Sequence, residues 1–401
     1  MKILIIHNNY SQRGGEETIV AFQQKLLEEN GHQVQVYTRD YNEMKRWWLG
    51  RSGGLFSALY NPRSIRDLKK IIQTFQPEVA ILHNLFPIIS PAIIPFLKKQ
   101  EIKTVQILHN YRLLCPIGTF YTKGQICEKC TTKGREWHCL LNRCNDGFFQ
   151  SLSFTIRSMF ARKRNYFGAV NQFVALSDFQ KNKLLENGFD ESKIAVIPNS
   201  IFADPVGARH ASTLRQAQCV APLSNRALTD EPRDFIGFVG RLTPEKGIFD
   251  FIELARLMPN YEFRVAGKQT AILEHTALPQ NLKFEGFLDA SQLRDFYCRA
   301  KVIVFPSRWY EGFPMTLLEA FSCKTPVIVY NLSAMPEIVE NGKDGFVVEV
   351  GDIQEMREKI DLLFNDYSLW TKFSENTLHK YETEYSVQSY YDKLISKIKE
   401  P

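Results

Sequence analysis

The sequence has no apolar run long enough to cross a membrane. Its most apolar stretch, residues 84–97, is interrupted by Pro87, Pro91 and Pro95, whereas a spanning helix needs about 20 consecutive apolar residues. Met1 is followed directly by a strand-like apolar run, which is not the pattern of a secretory signal. We therefore expect a cytoplasmic protein, whose cysteines are reduced thiols or metal ligands rather than disulfides.

Acidic residues are scarce in the first half of the chain. Residues 1–200 contain 27 Lys and Arg against 16 Asp and Glu, a net charge of +11, whereas the remainder contains 23 against 28, a net charge of −5. This asymmetry predicts that the first half faces an anionic partner such as a membrane surface, a lipid phosphate or a polyanion. Uneven solvation of an ordinary surface is the alternative.

The length and the pattern of segments predict two α/β domains. A chain of 401 residues is longer than one hydrophobic core usually supports. Strand-like and helix-like segments alternate throughout, which is typical of layered folds with parallel sheets. Residues 204–233 are the exception, because they are rich in Pro, Ala, Ser and Arg and show no hydrophobic period. We interpret them as a linker between a domain at residues 1–203 and another at residues 234–380.

Polar residues follow three predicted strands of the first domain. His7, His83 and His109 each stand at the end of an apolar run, and each is followed by asparagine. Ligands of parallel α/β sheets bind beyond the C-terminal ends of the strands. One such histidine would most simply be structural, but three converging strand ends predict a site. The helix after the second of these strands is expected over residues 88–97.

No G-x-G-x-x-G fingerprint is present. The adjacent residues Gly14 and Gly15 instead lie in a polar loop that leads into a helical pattern. Glycines at such a place let a bound group approach the backbone of the helix start. A simple turn with a capped helix explains the same pattern.

Five of the eight cysteines lie within residues 115–144. Cys127 and Cys130 have the spacing of a zinc knuckle, and Cys115 and Cys144 could complete a tetrahedral thiolate site. We therefore predict structural zinc at these four cysteines. Reduced, partly buried thiols or a redox-sensitive pair are the alternatives.

Two segments of the first domain combine cations with large aromatic side chains. Residues 41–70 include Trp47 and Trp48 beside Lys45 and Arg46, and residues 148–167 form an aromatic helical pattern that ends in three cations. Tryptophans and cations of this kind favour the interfacial zone of a bilayer. An amphipathic lid over a cleft is the alternative for the first segment.

The second domain contains two charged loops that follow strands. The first is Gly-Arg-Leu-Thr-Pro-Glu-Lys-Gly at residues 240–247. The second follows the apolar run 302–305 and carries Glu311, after which Pro314 stands where a first helical residue is favoured. Glu319 lies within the predicted helix. The free N–H groups of a helix start suit a phosphate or a sugar hydroxyl.

These loops resemble those of the family 4 group of retaining GT-B glycosyltransferases. Residues 240–247 resemble its G-R-L-x-x-x-K-G donor loop, and Glu311 with Glu319 resembles its E-x7-E element. The segment from Leu108 to Pro116, with the cysteines that follow, resembles a branch of the group with a cysteine-rich loop. The resemblance implies two Rossmann-like domains facing across a cleft, with a final helix in residues 381–401 that crosses back to the first domain.

The resemblance also implies roles for individual residues, written here as expectations. Arg241 and Lys246 hold the donor diphosphate, and Glu319 accepts hydrogen bonds from the ribose hydroxyls. Glu311 holds the transferred sugar together with Gly312, Phe313, Pro314 and Met315. Gly15 belongs to the loop that faces donor and acceptor.

His109 is expected to hydrogen-bond the sugar at the reaction centre. The group usually has Asp after this histidine, and this sequence has Asn110 instead, which leaves the local charge open.

The implied reaction moves a sugar from a nucleotide-diphosphate sugar to a lipid-linked or polysaccharide acceptor, with retention and without a catalytic metal. The place of action would be the cytoplasm, at the inner face of the membrane, and no nucleic-acid partner is expected. Two other functions stay open: a non-hydrolysing nucleotide-sugar 2-epimerase, and an inactive GT-B partner or binding subunit.

Overall fold

The computed structural model describes residues 1–9, 15–46, 58–131, 134–145, 147–201, 233–268, 270–274 and 276–400, without the side chains of residues 44–46. The predictions for Gly14, for Trp47 and Trp48, and for the linker as far as residue 232 lie outside these residues. The chain divides into two compact units. The first comprises residues 1–123, 127–198 and 391–401, and the second comprises residues 124–126 and 199–390.

The first unit contains a six-stranded parallel sheet in the order β2-β1-β3-β4-β7-β8. Apolar runs such as residues 3–6 form the central strands, and these four side chains are fully buried, as expected when helices cover both faces of a sheet. The strands are β1 (Lys2–Asn9), β2 (Gln33–Asp40), β3 (Val79–Leu82), β4 (Lys103–Ile107), β7 (Gln172–Ala175) and β8 (Ile194–Val196). Two short strands, β5 (Tyr121–Thr122) and β6 (Gln125–Ile126), pair separately.

The helices of the first unit connect successive parallel strands. They are α1 (Gly15–Glu29), α2 (Pro62–Phe75), α3 (Ile93–Lys99), α4 (Trp137–Leu141), α5 (Phe148–Lys163) and α6 (Asp178–Glu186), with 3-10 turns at Tyr41–Arg46, Tyr166–Ala169 and Glu191–Lys193. Asn61 caps the start of α2, because its side chain accepts hydrogen bonds from the N–H groups of Arg63 and Ser64.

The second unit contains another six-stranded parallel sheet, in the order β11-β10-β9-β12-β13-β14. Its strands are β9 (Phe235–Val239), β10 (Glu262–Ala266), β11 (Leu282–Gly286), β12 (Ala300–Phe305), β13 (Val327–Tyr330) and β14 (Gly345–Val348). Its helices are α7 (Ile248–Leu257), α8 (Ala290–Arg299), α9 (Met315–Ser322), α10 (Met335–Ile338), α11 (Ile353–Asn365) and α12 (Tyr367–Glu384), with 3-10 turns at Pro244–Lys246 and Ala271–Leu273. The prediction of two parallel α/β sheets is confirmed.

Two predicted helices differ from the structure. The helix expected over residues 88–97 begins only at Ile93, because side chains of Asn8 and Asn61 bind the backbone of Ile88 in a turn. The final helix is two helices, α12 and α13 (Val387–Lys399), separated at residues 385–386.

Residues 391–401 belong to the first unit. There the Lys103 ammonium group donates hydrogen bonds to the carbonyl oxygens of Lys397 and Ile398, both at 3.0 Å. Positive charge at the C-terminal end of a helix is favourable, because the last carbonyl groups have no partner within the helix. No helix of the described residues is long enough and apolar enough to span a bilayer.

Candidate active site

The loop after β9 is fixed against the loop after β12 by a glycine. Gly247 has φ of +78°, and a Cβ atom there would overlap the carbonyl oxygen of Pro306, so no other residue fits without a shift. The Arg308 N–H donates to the Glu245 carbonyl oxygen at 2.9 Å. Since β9 and β12 are neighbours at the point where the strand order reverses, both loops lie where ligands of such sheets bind.

Glu311 is the centre of this cluster. Its Oε1 atom lies 2.7 Å from the Lys246 ammonium group and accepts hydrogen bonds from Ser307 Oγ at 2.8 Å and Trp309 Nε1 at 2.6 Å. The residue is buried, and charge-assisted hydrogen bonds of this kind are strong and directional. The structure therefore brings two of the predicted donor residues, Lys246 and Glu311, into direct contact.

Arg241 joins the same cluster through the indole ring of Trp309. The Arg241 guanidinium and the Lys246 ammonium group each lie 5.2 Å from the centre of this ring, within the range of cation–π attraction. Arg241 also lies 3.6 Å from Glu245, but its side chain is 60% exposed. An exposed ion pair contributes little, so this guanidinium can turn to an anionic ligand at small cost.

The base of the Glu311 loop is held by a buried carboxylate that the sequence motifs did not reveal. Arg308 donates two hydrogen bonds to Asp250, at 2.6 and 2.8 Å, and the Tyr330 hydroxyl donates a third at 2.7 Å. Burial and the neighbouring Asp250 charge raise the pKa of Tyr330 well above its usual value, so its hydroxyl stays a donor. Asp250 had no sequence signal beyond its place in the first turn after Gly247.

Glu319 is anchored separately, on α9. The Tyr297 hydroxyl donates to its Oε2 atom at 2.7 Å. Burial raises the pKa of Glu319, and the hydrogen bond from Tyr297 opposes that shift. Its Oε1 atom has no hydrogen-bond partner among the described residues, so one oxygen can accept a ligand hydroxyl.

The segment between the two glutamates forms the start of α9. The helix begins at Met315, one residue later than predicted, and Pro314 precedes it instead of being its first residue. The first N–H groups of a helix have no acceptor within it. Phe313 is buried, with its ring 5.6 Å from that of Tyr385, so Gly312 and Phe313 offer backbone groups rather than side chains.

In the first unit, His109 is paired with His83. Nδ1 of His83 lies 2.7 Å from Nε2 of His109, and the rings are stacked at 5.0 Å. His7 meets the edge of the His83 ring at 6.0 Å. Burial lowers the pKa of His109 and lowers that of His83 well below its usual value. The three predicted histidines thus form one cluster, in which His83 and His109 are neutral at pH 7 and share one hydrogen.

A carboxylate lies next to Asn110. Glu16, in the first turn of α1, accepts a hydrogen bond from Asn110 Nδ2 at 2.8 Å, and its charge raises the pKa of His109 against the effect of burial. A small cavity of about 30 Å³ is lined by Glu16, His83, His109 and Arg112, among others. The sequence motifs did not mark Glu16, although it directly follows Gly15 in the predicted loop. Gly15 is the exposed first residue of α1, and a Cβ atom there would touch nothing described.

The predicted zinc site at Cys115, Cys127, Cys130 and Cys144 is not supported. Among the described residues, no group of three or more His, Cys, Asp or Glu side chains could hold a metal ion. The thiols have other partners instead. Cys130 donates to the Glu136 carbonyl oxygen at 3.8 Å, and Asn142 donates to Cys127 at 3.8 Å.

Cys144 interacts with a fifth cysteine of the same loop. A hydrogen bond from the Cys139 thiol lowers the pKa of Cys144 to about 6, whereas burial raises the pKa of Cys130 to about 12. All five cysteines are free thiols. The alternative of reduced, partly buried thiols matches this arrangement better than the zinc prediction does.

Two family models match the chain. Residues 13–204 match Glycosyltransferase Family 4, and residues 222–380 match Glycosyl transferases group 1. The capsular polysaccharide biosynthesis glycosyltransferase CapM of Staphylococcus aureus is 28% identical over 233 residues, 56% of this chain and 60% of CapM. An uncharacterized 42.6 kDa protein in the cps region of Klebsiella pneumoniae is 24% identical over 92% of this chain and 98% of its own length.

A third relative is the poly(ribitol-phosphate) alpha-N-acetylglucosaminyltransferase of Staphylococcus aureus, which is 26% identical over 54% of this chain. The alignment covers 42% of that protein, so this chain spans less than two thirds of it and of CapM.

Solved structures share the fold at low identity. Sucrose-phosphate synthase from Thermosynechococcus elongatus has a TM-score of 0.70 at 15% identity and covers 98% of this chain and 99% of its own. Anabaena Alr3699/HepE in complex with UDP and glucose has a TM-score of 0.64 at 16% identity, with 99% of both chains covered.

Proposed function

The chain belongs to the GT-B glycosyltransferases of the family 4 group, and we propose that it moves a hexose from a nucleotide-diphosphate sugar to a lipid-linked glycan. The transfer would retain the anomeric configuration and would serve the assembly of a surface polysaccharide. The finding that carries this proposal is the contact of Lys246, Glu311 and Trp309, with Arg241 at the same ring.

In the proposed donor site, positive charge and a buried carboxylate have separate tasks. Arg241 and Lys246 would bind the diphosphate and stabilise the negative charge that grows on it as the sugar leaves. Glu311 would accept hydrogen bonds from the transferred sugar, aided by the backbone from Gly312 to Met315. Glu319 would accept a ribose hydroxyl. Two cations at one site can play the part of a catalytic metal, and we propose that Arg241 and Lys246 do so here.

In the first unit we propose that His109 binds the sugar at the reaction centre. Its neutral ring has one nitrogen turned to His83, so the other can serve a ligand hydroxyl. Glu16 would supply the negative charge that the group usually places at position 110, since Glu16 is bound directly to Asn110. The Gly15 backbone next to it would face the ligand.

The acceptor is proposed from charge and from the relatives. The net charge of +11 in residues 1–200 favours an anionic acceptor. CapM is named for capsular polysaccharide biosynthesis, and the Klebsiella relative is named for the cps region. The CapM name supports a polysaccharide acceptor, and the positive charge supports an anionic group on it. We propose that this group is a lipid phosphate at the inner face of the cytoplasmic membrane.

A donor screen tests the proposal. Purified chain is incubated with UDP-glucose, UDP-galactose, UDP-N-acetylglucosamine or GDP-mannose, with and without extracted lipid-linked glycans, and released nucleotide and new glycosidic product are measured. We expect acceptor-dependent release with one donor, lost in Lys246→Ala. Inversion at C2 of a sugar nucleotide such as UDP-N-acetylglucosamine, without acceptor, would identify a 2-epimerase. Nucleotide binding without turnover would identify a binding subunit.

A further inference from the structure

Helix α5 has its apolar and polar faces reversed. A surface helix normally buries its large apolar side chains and exposes its polar ones. The buried residues of α5 are small or polar: Ser151, Thr155, Arg157, Ser158 and Ala161. Its exposed residues include large apolar ones: Phe148, Phe149 and Met159 are 48%, 82% and 44% exposed.

The inward polar face of α5 makes contacts within the first unit. Arg157 donates to the Pro116 carbonyl oxygen at 2.8 Å, and its guanidinium lies 4.1 Å from the centre of the Phe86 ring. Thr155 donates to the Ser151 carbonyl oxygen at 2.8 Å. The Arg157 contacts fix which side of α5 faces the loops at residues 86 and 116, and the side with Phe149 and Met159 is left exposed.

A cavity of about 890 Å³ lies beside the C-terminal half of α5, within the first unit. Its lining is mainly apolar and includes Ile156, Phe160, Leu114 and Phe189. Phe149, Ile156 and Phe160 lie on one face of the helix because they are seven and four residues apart. An apolar stripe therefore runs from the exposed end of α5 into a cavity whose volume is typical of sites for small organic ligands.

Two ammonium groups stand at this cavity with little to bind them. Lys163 is exposed and has no ion pair among the described residues. Lys193 donates to the Val170 carbonyl oxygen at 3.4 Å, and together with the hydrogen bonds from Ser192 its charge helps to lower the pKa of the neighbouring Asp190. The other charges of the lining have partners. Arg162 pairs with Glu136 at 3.1 Å, and Asp190 accepts from the Ser192 N–H and hydroxyl.

We propose that this cavity receives the hydrocarbon chain of a lipid phosphate, with the phosphate lying against Lys163 and Lys193. Apolar lining, a stripe that continues to the surface and two cations at the edge match a ligand that has one long apolar part and one anionic end. The inference rests on the proposed function, because it makes the cavity the place where the lipid part of the acceptor binds.

The test measures lipid binding to the full chain without donor. Calorimetry measures the binding of four compounds: geranylgeranyl phosphate, a short-chain phosphatidic acid, dodecyl maltoside and inorganic phosphate. The first three are kept below their micelle-forming concentrations. We expect saturable binding of one lipid phosphate per chain, weaker binding of the maltoside and none of phosphate alone. Preference for the first or second lipid tells an isoprenyl chain from an acyl chain.

Variants test whether the lipid occupies the cavity itself. Ile156→Trp narrows the cavity beside α5 and should weaken lipid binding by about tenfold or more, because several methylene groups lose their contacts. Met159→Glu changes an already exposed side chain and should also weaken lipid binding, without affecting folding. Circular dichroism and thermal melting check the folding of both variants. The double variant Lys163→Gln with Lys193→Gln should weaken the binding of the lipid phosphates but not the binding of the maltoside. Leu141→Ser, at an exposed apolar side chain that does not line the cavity, is the matched control and should bind as wild type does.

Three results would overturn the inference. They are the absence of saturable binding, unchanged binding in both Ile156→Trp and Met159→Glu, and dimerisation through α5 in place of lipid binding. Binding to vesicles alone that disappears in Phe149→Ser would assign the stripe to membrane contact instead. Nucleotide release with donor and the extracted lipid-linked glycans, measured on the same protein preparations, keeps the two proposals apart. Turnover without lipid binding contradicts only the proposal that the cavity binds a lipid. Lipid binding without any turnover contradicts only the proposed glycosyltransferase function.

Discussion

Three donors converge on one carboxylate oxygen of Glu311, from Lys246, Ser307 and Trp309. Glu311→Gln keeps the size of the side chain but removes its charge and leaves the ammonium group without a counter-ion. We expect turnover to fall by about 10²–10³-fold, as for loss of one preorganised group at a reaction centre. The Kd for the nucleotide should stay the same or decrease, because the unpaired ammonium group can then bind the diphosphate more freely.

Glu319→Gln should affect nucleotide affinity more than turnover, the reverse of Glu311→Gln. The Kd for the nucleotide should rise by about tenfold, because a charged hydrogen-bond acceptor is lost. Turnover at saturating donor should change less. Calorimetry gives Kd and steady-state kinetics give kcat. Glu253→Gln, an exposed carboxylate on α7, is the control. An equal loss of nucleotide affinity at positions 311 and 319 would contradict the separate roles.

The two cations beside Trp309 give a second prediction. Arg241→Ala and Lys246→Ala should each reduce kcat/KM by about 10²–10³-fold, because each removes positive charge from the leaving diphosphate. Melting temperatures should change little for Arg241→Ala, whose side chain is largely exposed. Lys283→Ala, an exposed lysine of the same unit, is the control. Activity within a few-fold of wild type in both variants would rule out the proposed donor loop.

The histidine pair predicts how stability depends on pH. Burial lowers the pKa of His83 and of His109, so the native chain stays neutral there at a pH where unfolded histidine, with a pKa of about 6.5, takes up protons. The free energy of unfolding should therefore be constant above about pH 6.5 from this source and decrease as the pH falls below it.

Thermal melting between pH 5 and 8 measures this dependence. His83→Asn should make the melting temperature less dependent on pH in the acid range. His379→Asn, an exposed histidine, should leave the dependence as in wild type. A melting temperature that rises on acidification would contradict the assignment of neutral rings.

Residues that share a short motif could be predicted from the sequence, and their partners could not. Lys246 and Glu311 stand in fixed patterns, so their roles could be inferred before the structure. Asp250 contacts Arg308 across 58 positions, and Tyr297 contacts Glu319 across 22. No local pattern marks such pairs, because they are set by how neighbouring strands bring two loops together.

At the level of elements, Gly247 gives a prediction about the donor loop. Gly247→Ala should lower the stability of the second unit by more than the roughly 1–2 kcal/mol of a left-handed residue, because the new Cβ atom also overlaps the Pro306 carbonyl oxygen. Turnover should fall as well, since Lys246 is the preceding residue. Gly342→Ala is the matched control, because Gly342 has φ of +79° and open space around it. Equal melting temperatures for both variants would contradict the steric argument.

Some elements could not be predicted for identifiable reasons. The helix expected over residues 88–97 does not include its first predicted residues, because asparagine side chains from β1 and from the start of α2 bind the backbone there. Both asparagines are far away in the sequence. The aromatic helix at residues 148–167 was predicted, and α5 is found there. Which face of it is buried could not be predicted, since its buried face is the polar one and reverses the usual rule.

At the level of the whole molecule, alternation of strands and helices was enough to predict two parallel sheets. The order of the strands and the cavity beside α5 were not predictable, because the cavity walls come from segments spread over residues 113–193 that only the tertiary fold brings together. The cysteine loop shows the limit of spacing as a guide. A zinc-like pattern of thiols predicted a metal site that the described residues do not form.

The return of residues 391–401 to the first unit has a consequence for biosynthesis. The ribosome completes residues 1–198 and then makes about 190 further residues before this last segment emerges. At roughly 5–20 residues per second, the first unit waits about 10–40 seconds for Leu394, Ile395 and Ile398, which are buried in the finished chain.

During that wait the surface that these side chains later cover is open to water, and to other nascent chains on the same messenger RNA. A ribosome-arrested chain that stops at residue 390 should therefore be cut by protease within residues 1–198 more readily than the released chain. Equal protection would mean that the first unit matures without its last helix. A difference in protection would mean that the core of the first unit is complete only after residues 391–401 have been made.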